Sequence, residues 1–297
     1  MVKRRALTMS KETIGFIGTG VMGCAMAGHL IDSGYKLNVY NRTREKSGRL
    51  VERGAVWRDS PGDVAALSDI VITIVGYPQD VEEVYLGGGG IIEKAAKGAL
   101  LIDMTTSSPA LAVRISERAR ERGVGACDAP VTGGDKGARE ASLAILVGGE
   151  ESDFKRALPI FQVMGKNITH FGPAGCGQTA KLANQIIIAG TMTGVCEGLA
   201  FAKKLGIDPR KLLDCAGSGS AASWSLLNYG PRILSGDFAP GFFIKHFVKD
   251  MKLAKEFAEE SGMPLEGLRA ALTQYEKVMG EGGGENGTQY LYKLYDK

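Results

Sequence analysis

A lysine and an asparagine stand near the start of the longest apolar stretch of the sequence. Lys181 and Asn184 are three positions apart, so they share one face of a predicted helix. A lysine in this setting is usually a surface residue whose ammonium group stays in water. In a cleft, burial lowers the pKa of a lysine amine, and the side chain can then donate or accept a proton. The pair is therefore a candidate acid–base site.

A second pattern, Gly18-Thr19-Gly20-Val21-Met22-Gly23, can hold phosphate groups. It follows the apolar run Thr13–Ile17, which predicts a buried strand, and it opens a predicted helix that reaches Ser33. In a strand–turn–helix frame the first glycine permits the tight turn and the second lets the backbone approach a pyrophosphate. The third lets helix and strand pack closely. The free N–H groups of the helix start, at Val21 and Met22, then face the negative charge. We expect a dinucleotide here.

The residues Asn41-Arg42-Thr43 bear on which dinucleotide is bound. They follow the apolar run Leu37–Tyr40, where NAD-binding domains carry an acidic residue for the ribose 2′-hydroxyl. Asn41 removes the carboxylate that would repel a 2′-phosphate, Arg42 adds a planar cation, and Thr43 adds a hydroxyl. This pattern favours NADP over NAD. The alternative is a solvated polar loop in which Arg42 and Arg44 face water.

Two further segments follow predicted strands. Thr105 and Thr106 come after the run Ala99–Asp103, where ligands of doubly wound sheets bind, so both are candidates to contact the cofactor; they could also cap the helix that Pro109 opens. Thr132-Gly133-Gly134 exposes backbone that could bind a small anion such as a carboxylate. Taken alone, this segment is better explained as a simple turn.

The order of predicted elements gives the architecture. Apolar runs alternate with helical patterns up to Phe171, with further strands at Asp69–Val75, Leu143–Val147 and Ile168–Phe171 and a helix at Glu151–Met164. From about Gln178 the chain is helix after helix, and Gly280–Gly287 reads as a flexible loop before a short Tyr-rich tail. We therefore predict a Rossmann-type, doubly wound, mostly parallel α/β sheet followed by an all-helical C-terminal domain, joined by a long helix. The predicted parts are a disordered tail (1–12), an NADP-binding domain (13–174) and a helical substrate and dimerisation domain (175–297).

Composition excludes several functional classes. At 297 residues two domains are expected, and a net charge of +3 argues against a nucleic-acid-binding protein. The five cysteines are scattered, with no C-x-x-C and no histidine spaced for zinc, so we expect no metal and reduced thiols in a cytoplasmic protein. No uninterrupted apolar run approaches the ~20 residues of a membrane span. We therefore expect no membrane partner.

Four motifs together give a resemblance that covers about Thr13 to Tyr295. The motifs are Gly15–Gly23, Asp128–Gly134, Gly175–Asn184 and Lys249-Asp250-Met251-Lys252-Leu253-Ala254. In these motifs and in their order, the chain resembles the β-hydroxyacid dehydrogenase family, relatives of 3-hydroxyisobutyrate dehydrogenase and tartronate semialdehyde reductase.

The resemblance implies roles for the candidate residues. Lys181 resembles the catalytic lysine that protonates the carbonyl oxygen on reduction, and Asn184 the asparagine that hydrogen-bonds the substrate. Thr132, Gly133 and Gly134 match the segment that holds the substrate carboxylate. Thr106 matches a position near the nicotinamide, and Lys249 one that closes over the cofactor. Asn41-Arg42-Thr43 is similar to the version in NADPH-preferring glyoxylate and succinic semialdehyde reductases.

The resemblance implies an NADP-dependent oxidoreductase that interconverts a short β-hydroxyacid and its semialdehyde, and a homodimer or homotetramer. Thr132 replaces the usual serine and Gln185 replaces a second asparagine that many members carry, which leaves the substrate open. Two alternatives remain. One is an imine reductase of the same architecture, a group that usually lacks lysine at the position of Lys181. The other is a non-catalytic dinucleotide-binding module.

Overall fold

The sheet of the first unit begins with the apolar run that precedes the glycine motif. The computed structural model describes residues 11–296, and the contacts among them divide the chain into two units, one ending at Gln178 and one beginning at Thr179. The sequence-based boundary lies slightly earlier, after residue 174. Of the predicted N-terminal tail, residues 1–10 lie outside the described residues, and Glu12 accepts a hydrogen bond from Arg156 Nε at 3.0 Å.

Within the described residues, nine strands form one sheet in the order β3-β2-β1-β4-β5-β6-β8-β7, with β9 paired to β8. Pairing is parallel from β3 to β6, and β8 runs antiparallel to β6 and β7. The strands are Ile14–Ile17 (β1), Leu37–Tyr40 (β2), Val56–Trp57 (β3), Ile70–Thr73 (β4), Leu100–Asp103 (β5), Gly125–Asp128 (β6), Val131–Thr132 (β7), Leu143–Gly149 (β8) and Gly165–Gly172 (β9).

The helices of the first unit connect these strands. They are Val21–Asp32 (α1), Gly48–Glu52 (α2), Pro61–Ala66 (α3), Pro78–Leu86 (α4), Ile91–Lys94 (α5), Pro109–Glu121 (α6), Gly134–Arg139 (α7) and Glu151–Met164 (α8). The strand order changes direction between β1 and β4, which is where a doubly wound sheet opens its ligand crevice. Buried apolar side chains form separate clusters in this unit, one of them including Phe16, Met26 and Phe161 and another including Ile17, Val71 and Leu101.

The second unit is helical. The long helix Cys176–Lys204 (α9) begins just before the division and is followed by Pro209–Ala216 (α10), Trp224–Leu234 (α11), Ile244–Glu260 (α12) and Glu266–Gly280 (α13). Its core packs Phe247, Met251 and Tyr275 against apolar residues of α9 and α11. The predicted fold class, a Rossmann-type mostly parallel sheet followed by helices, is confirmed.

The C-terminal segment differs from the prediction. Instead of a flexible loop and tail, Gly283–Glu285 and Thr288–Leu294 form short 3₁₀ helices, and Thr288, Gln289, Leu291 and Tyr292 are buried. Gly287 N–H donates to Phe238 O at 2.9 Å. Burial of these side chains against the helical core explains the difference, since glycine-rich sequence alone does not reveal it.

The sequence analysis expected no segment apolar and long enough to span a membrane, and helix α9 differs from that expectation. By length and composition it could cross a membrane, and 39% of its most apolar window is buried. The core helix of a water-soluble fold passes the same test. The absence of a membrane partner therefore stays a prediction.

The glycine turn offers a matched test of the fold. A Cβ on Gly23 would lie 2.0 Å from Gly18 O, whereas a Cβ on Gly20, whose φ is −69°, would have no atom within 4 Å. We expect Gly23→Ala to lower the Tm by about 5–10 °C because an overpacked site costs about 1–3 kcal/mol. Gly20→Ala should change the Tm by no more than about 2 °C. Thermal unfolding followed by circular dichroism measures both, and equal Tm values would contradict the packing assigned to Gly23.

Candidate active site

The glycine turn is fixed to the end of β2 by hydrogen bonds. Gly18 has a φ of +96° and its N–H donates to Tyr40 O at 2.9 Å. Thr19 N–H donates to Asn41 Oδ1 at 3.0 Å, and the hydroxyls of Thr19 and Ser47 lie 2.8 Å apart. Asn41 therefore braces the turn, a role that the sequence did not indicate.

The start of α1 suits a pyrophosphate. Space is open above Gly20, and Gly23 packs against Gly18 of the turn, so the backbone at the helix start can approach a phosphate group closely. Met22 is half-buried against the sheet core. The residues present fit a dinucleotide.

Arg42 and Thr43 follow at the end of β2. The Arg42 side chain is 84% exposed, and its Nη1 lies 3.2 Å from Asp80 Oδ1 on α4. Asp80 Oδ2 also accepts the N–H of Tyr77 at 3.0 Å, so the carboxylate that holds Arg42 is itself fixed. Thr43 precedes a 3₁₀ turn and is exposed. The guanidinium group is thus tethered at the surface by a fixed carboxylate.

The loop after β5 is held by a buried carboxylate. Asp103 Oδ1 accepts from Thr73 Oγ1 at 2.8 Å and from Thr105 N–H at 3.1 Å. Thr105 Oγ1 accepts from Val75 N–H at 2.9 Å. The hydroxyl of Thr105 therefore links the loops after β4 and β5. The helix-capping alternative for Thr105 and Thr106 is wrong, because Ser108 caps α6 by accepting from Leu111 N–H.

The start of α9 is tied to the same loop. Asp128 Oδ1 accepts from Gly175 N–H at 2.8 Å and its Oδ2 from Gln178 N–H at 2.7 Å. The Gln178 side chain donates to Thr105 O at 2.7 Å and accepts from Ser107 N–H at 2.9 Å. Thr106 thus lies in a segment held on both sides, and the first turn of α9 is fixed to the ends of β5 and β6. Neither Asp128 nor Gln178 was assigned a role from the sequence.

The predicted carboxylate-binding segment lies between β7 and α7. Thr132 pairs with Ala144 of β8, and Gly133 and Gly134 have φ values of +129° and +62°. These two consecutive glycines with positive φ lead directly into the short helix α7, which the sequence did not indicate. Such turns can direct successive N–H groups at an anion.

In the second unit, one hydrogen-bonded network joins the candidate lysines and asparagine. Lys181 Nζ donates to Gln185 Oε1 at 2.9 Å, and Asn184 Nδ2 donates to the same oxygen at 2.8 Å. Gln185 Nε2 donates to Asp250 Oδ2 at 2.7 Å, and Asp250 Oδ1 lies 3.0 Å from Lys249 Nζ. Sequence reasoning noted Gln185 only as a departure and gave Asp250 no role. The signals available were the four-residue spacing from Lys181 and the Lys249-Asp250 motif.

Burial sets the charge state of this network. Lys181 is 5% exposed and Asp250 is 1% exposed. Burial lowers the pKa of Lys181 to about 8, with Asp250 acting to raise it and Lys249 to lower it. At neutral pH this amine is protonated yet able to lose its proton, which is the condition that acid–base catalysis requires. Among the described residues, no group of histidine, cysteine and acidic side chains could hold a metal ion.

Comparisons with known proteins bear on the family and the fold of the chain. Residues 13–172 match the model of the NAD binding domain of 6-phosphogluconate dehydrogenase, and residues 175–295 match the NAD-binding domain of NADP-dependent 3-hydroxyisobutyrate dehydrogenase. An uncharacterised oxidoreductase of Bacillus subtilis (strain 168) is 51% identical, with 97% of this chain and 100% of the relative covered. The probable 3-hydroxyisobutyrate dehydrogenase-like 1, mitochondrial, of Arabidopsis thaliana is 47% identical, with 96% and 85% covered. The Mycobacterium tuberculosis 3-hydroxyisobutyrate dehydrogenase structure with L-serine has a TM-score of 0.89 at 28% identity, with 96% of this chain and 99% of that chain covered.

The fold and the matches define a nicotinamide dinucleotide-dependent dehydrogenase that acts on CH–OH groups. The chain belongs to the β-hydroxyacid dehydrogenase family. This result favours the dehydrogenase prediction over the imine reductase and the non-catalytic module.

Asp103 gives a pH-dependent test of the site. Burial raises the pKa of Asp103 to about 6, above the value of an unfolded chain, so the folded state holds this proton more tightly. Its contribution to stability is therefore full at low pH and is lost as the pH rises from about 4 to 6, by up to ~3 kcal/mol. Asp103→Asn should remove that loss. Urea unfolding at pH 4 and pH 6.5 measures it, with the exposed Glu117→Gln as control; parallel stability profiles for wild type and Asp103→Asn would contradict it.

Proposed function

We propose that the protein is an NADP-dependent dehydrogenase that interconverts a short β-hydroxyacid and its semialdehyde, with Lys181 as general acid and base. The observation that carries the proposal is the buried amine of Lys181, held at 2.9 Å by an amide oxygen and shifted in pKa to about 8. The bound cofactor supplies or accepts the hydride.

The chain's own groups have separate tasks in this reaction. The Lys181 ammonium group donates its proton to the carbonyl oxygen on reduction, and the neutral amine takes the proton from the hydroxyl on oxidation. Asn184 hydrogen-bonds the substrate near that oxygen. Thr132 and the N–H groups of Gly133 and Gly134 hold the carboxylate. The last assignment is supported by the two positive φ values and by the L-serine of the M. tuberculosis structure, which is itself a β-hydroxyacid.

The cofactor residues follow from the first unit. Gly18, Gly20 and Gly23 form the turn, with the N–H groups of Val21 and Met22 at the pyrophosphate. Asn41 braces this turn, and Arg42 and Thr43 bind the 2′-phosphate. Thr106 lies near the nicotinamide. Lys249, whose ammonium group lies 3.0 Å from Asp250, is proposed as a further cofactor contact.

An exposed stripe on α9 supports a homodimer or homotetramer. Ile187, Gly190, Gly194, Gly198 and Phe201 recur at three- and four-residue intervals along one face and are all exposed. A Cβ on any of the three glycines would meet no atom within 4 Å. A second copy of the chain is the occupant we propose for this face, in a cytoplasmic protein that needs neither nucleic acid nor membrane.

The proton-transfer role predicts a defined effect of Lys181→Met, which keeps the length of the side chain. The kcat for reduction should fall about 10²–10⁴-fold while the Kd for NADPH stays within about twofold of wild type. In the wild type, reduction needs the ammonium form and should decline above about pH 8, whereas oxidation should rise through the same pH. Steady-state kinetics in both directions checks this, over glyoxylate, succinic semialdehyde, methylmalonate semialdehyde and tartronate semialdehyde. Near wild-type turnover by Lys181→Met would remove the proposed role.

The cofactor preference predicts an effect of Arg42→Gln. Losing a charge-assisted contact to the 2′-phosphate should lower kcat/KM for NADPH at least 10-fold and leave kcat/KM for NADH unchanged. Arg49→Gln, which removes the same charge from the exposed face of α2, is the control and should leave both values unchanged. A wild-type preference for NADH would refute the use of Arg42 made here.

A further inference from the structure

A histidine on the helix that follows the glycine turn bonds to the end of helix α7. His29 Nε2 lies 3.0 Å from Ala138 O and 3.1 Å from Arg139 O. Carbonyl oxygens only accept hydrogen bonds, so the ring nitrogen that faces them carries a hydrogen and donates to both. His29 is half-buried and Ala138 is fully buried. One side chain of α1 therefore holds the backbone of a segment 109 residues further along the chain.

This contact completes the hydrogen bonding at the C-terminal end of α7. A helix leaves its last four carbonyl oxygens without an intrahelical partner. The backbone that follows α7 supplies donors for the first two of them, with Glu140 N–H donating to Lys136 O at 3.0 Å and Ser142 N–H to Gly137 O at 2.9 Å. His29 supplies the donor for the other two.

The backbone has positive φ values at both ends of α7. Gly133 and Gly134 have φ values of +129° and +62°, and Ala141 follows the helix with a φ of +49°. Among residues 11–296, Ala141 is the one non-glycine residue with a positive φ. A Cβ disfavours this conformation, so the surrounding contacts must hold it in place. His29 bonds to the residues two and three positions before Ala141.

The shortness of α7 links its two ends. The helix has six residues, which span about 9 Å at 1.5 Å per residue. A contact that fixes its last turn therefore also fixes the direction of the N–H groups at its beginning. These include the N–H groups of Gly133 and Gly134, to which the proposed function assigns the substrate carboxylate. The helix that provides the contact, α1, begins at the glycine turn.

We propose that His29 is a positioning residue for the substrate carboxylate: its imidazole holds the end of α7 and so keeps the N–H groups of Gly133 and Gly134 directed at the anion. The inference rests on the proposed function, which gives that turn its ligand. It adds that the cofactor-binding helix braces the substrate-binding turn before the substrate arrives, so little ordering remains to be done on binding.

The test compares two substitutions with different losses. His29→Phe keeps the ring but removes the donor, and His29→Gln keeps a donor near the position of Nε2 but removes the ring. The KM for the semialdehyde that the wild type reduces best should rise about 10-fold in His29→Phe and stay within about twofold of wild type in His29→Gln. The kcat and the Kd for NADPH should stay within about twofold in both variants. A role limited to packing predicts the reverse order of KM values, and an unchanged KM in His29→Phe would overturn the proposal.

The methyl ester of the same semialdehyde separates this proposal from the function on which it rests. The ester lacks the anion, so His29→Phe should leave its kcat/KM unchanged. If the wild type reduces the ester as well as the acid, the carboxylate role of the turn fails, and the proposed function fails with it. If the wild type prefers the acid and His29→Phe keeps the wild-type KM, only the role of His29 fails.

A second histidine provides a matched control. His170 Nε2 lies 2.8 Å from Gly149 O, so His170→Phe also removes a contact between a histidine and a carbonyl oxygen in the first unit, and it should leave the KM unchanged. An equal rise in KM in this control would overturn the specific role of His29.

Amide hydrogen exchange followed by mass spectrometry tests the contact without turnover. Exchange in residues 133–142 should be faster in His29→Phe than in wild type or His29→Gln, because the end of α7 loses its donor. Wild-type exchange in His29→Phe would contradict the proposal. Circular dichroism and Tm establish that each variant is folded, and His29→Leu, which is smaller and also lacks a donor, carries the test if His29→Phe does not fold.

Discussion

The burial of one amine imposes the central constraint on this protein. A lysine ammonium group removed from water must either find a partner or lose its proton. Lys181 has one neutral acceptor, Gln185 Oε1, and a carboxylate one step further away at Asp250. This arrangement stabilises the charge only in part, which leaves the pKa of the amine at about 8. Direct contact with a carboxylate would raise that pKa, and a wholly apolar surrounding would lower it further.

In the first unit, polar side chains hold several loop segments in place at one edge of the sheet. Thr19 and Asn41 fix the glycine turn, and Asp103 and Thr105 link the loops after β4 and β5. Asp128 accepts from two N–H groups at the beginning of α9, the helix on which Lys181 lies. Asn41, Thr105 and Asp128 accept hydrogen bonds from backbone N–H groups of segments distant in sequence. Asp103 accepts from the hydroxyl of Thr73, which lies on the neighbouring strand. Binding loops held in this way need little reordering when a ligand arrives.

The sequence allowed prediction of those parts whose signal is local. The glycine fingerprint, the strand Leu37–Tyr40 and the helix Glu151–Met164 appear with the predicted bounds. The two-residue strands β3 and β7 and the short helices α2, α3 and α7 were missed because elements of this length carry too little periodicity. The ordered C-terminal segment was missed because long-range burial, not glycine content, decides its structure.

In the candidate site, too, the residues with a local sequence signal were predicted, and those that depend on long-range contacts were not. Residue type and spacing singled out Lys181 and Asn184, because helical periodicity places them on one face. The role of Asn41 in bracing the turn, and those of Gln178 and Gln185 in joining distant segments, depend on partners far away in the chain, so no local pattern could reveal them. Family matches establish the dehydrogenase class, while the chemistry of individual residues rests on this geometry.

Titration of the Lys181 amine itself is the most direct test of the central claim. In protein with ¹³C-labelled lysine side chains, the Cε resonance of Lys181, assigned by its loss in Lys181→Met, should titrate near pH 8. A Lys181 resonance that titrates near the reference lysine value of about 10.4 would contradict the account, because the amine would then be an ordinary ammonium group unsuited to exchanging a proton at neutral pH.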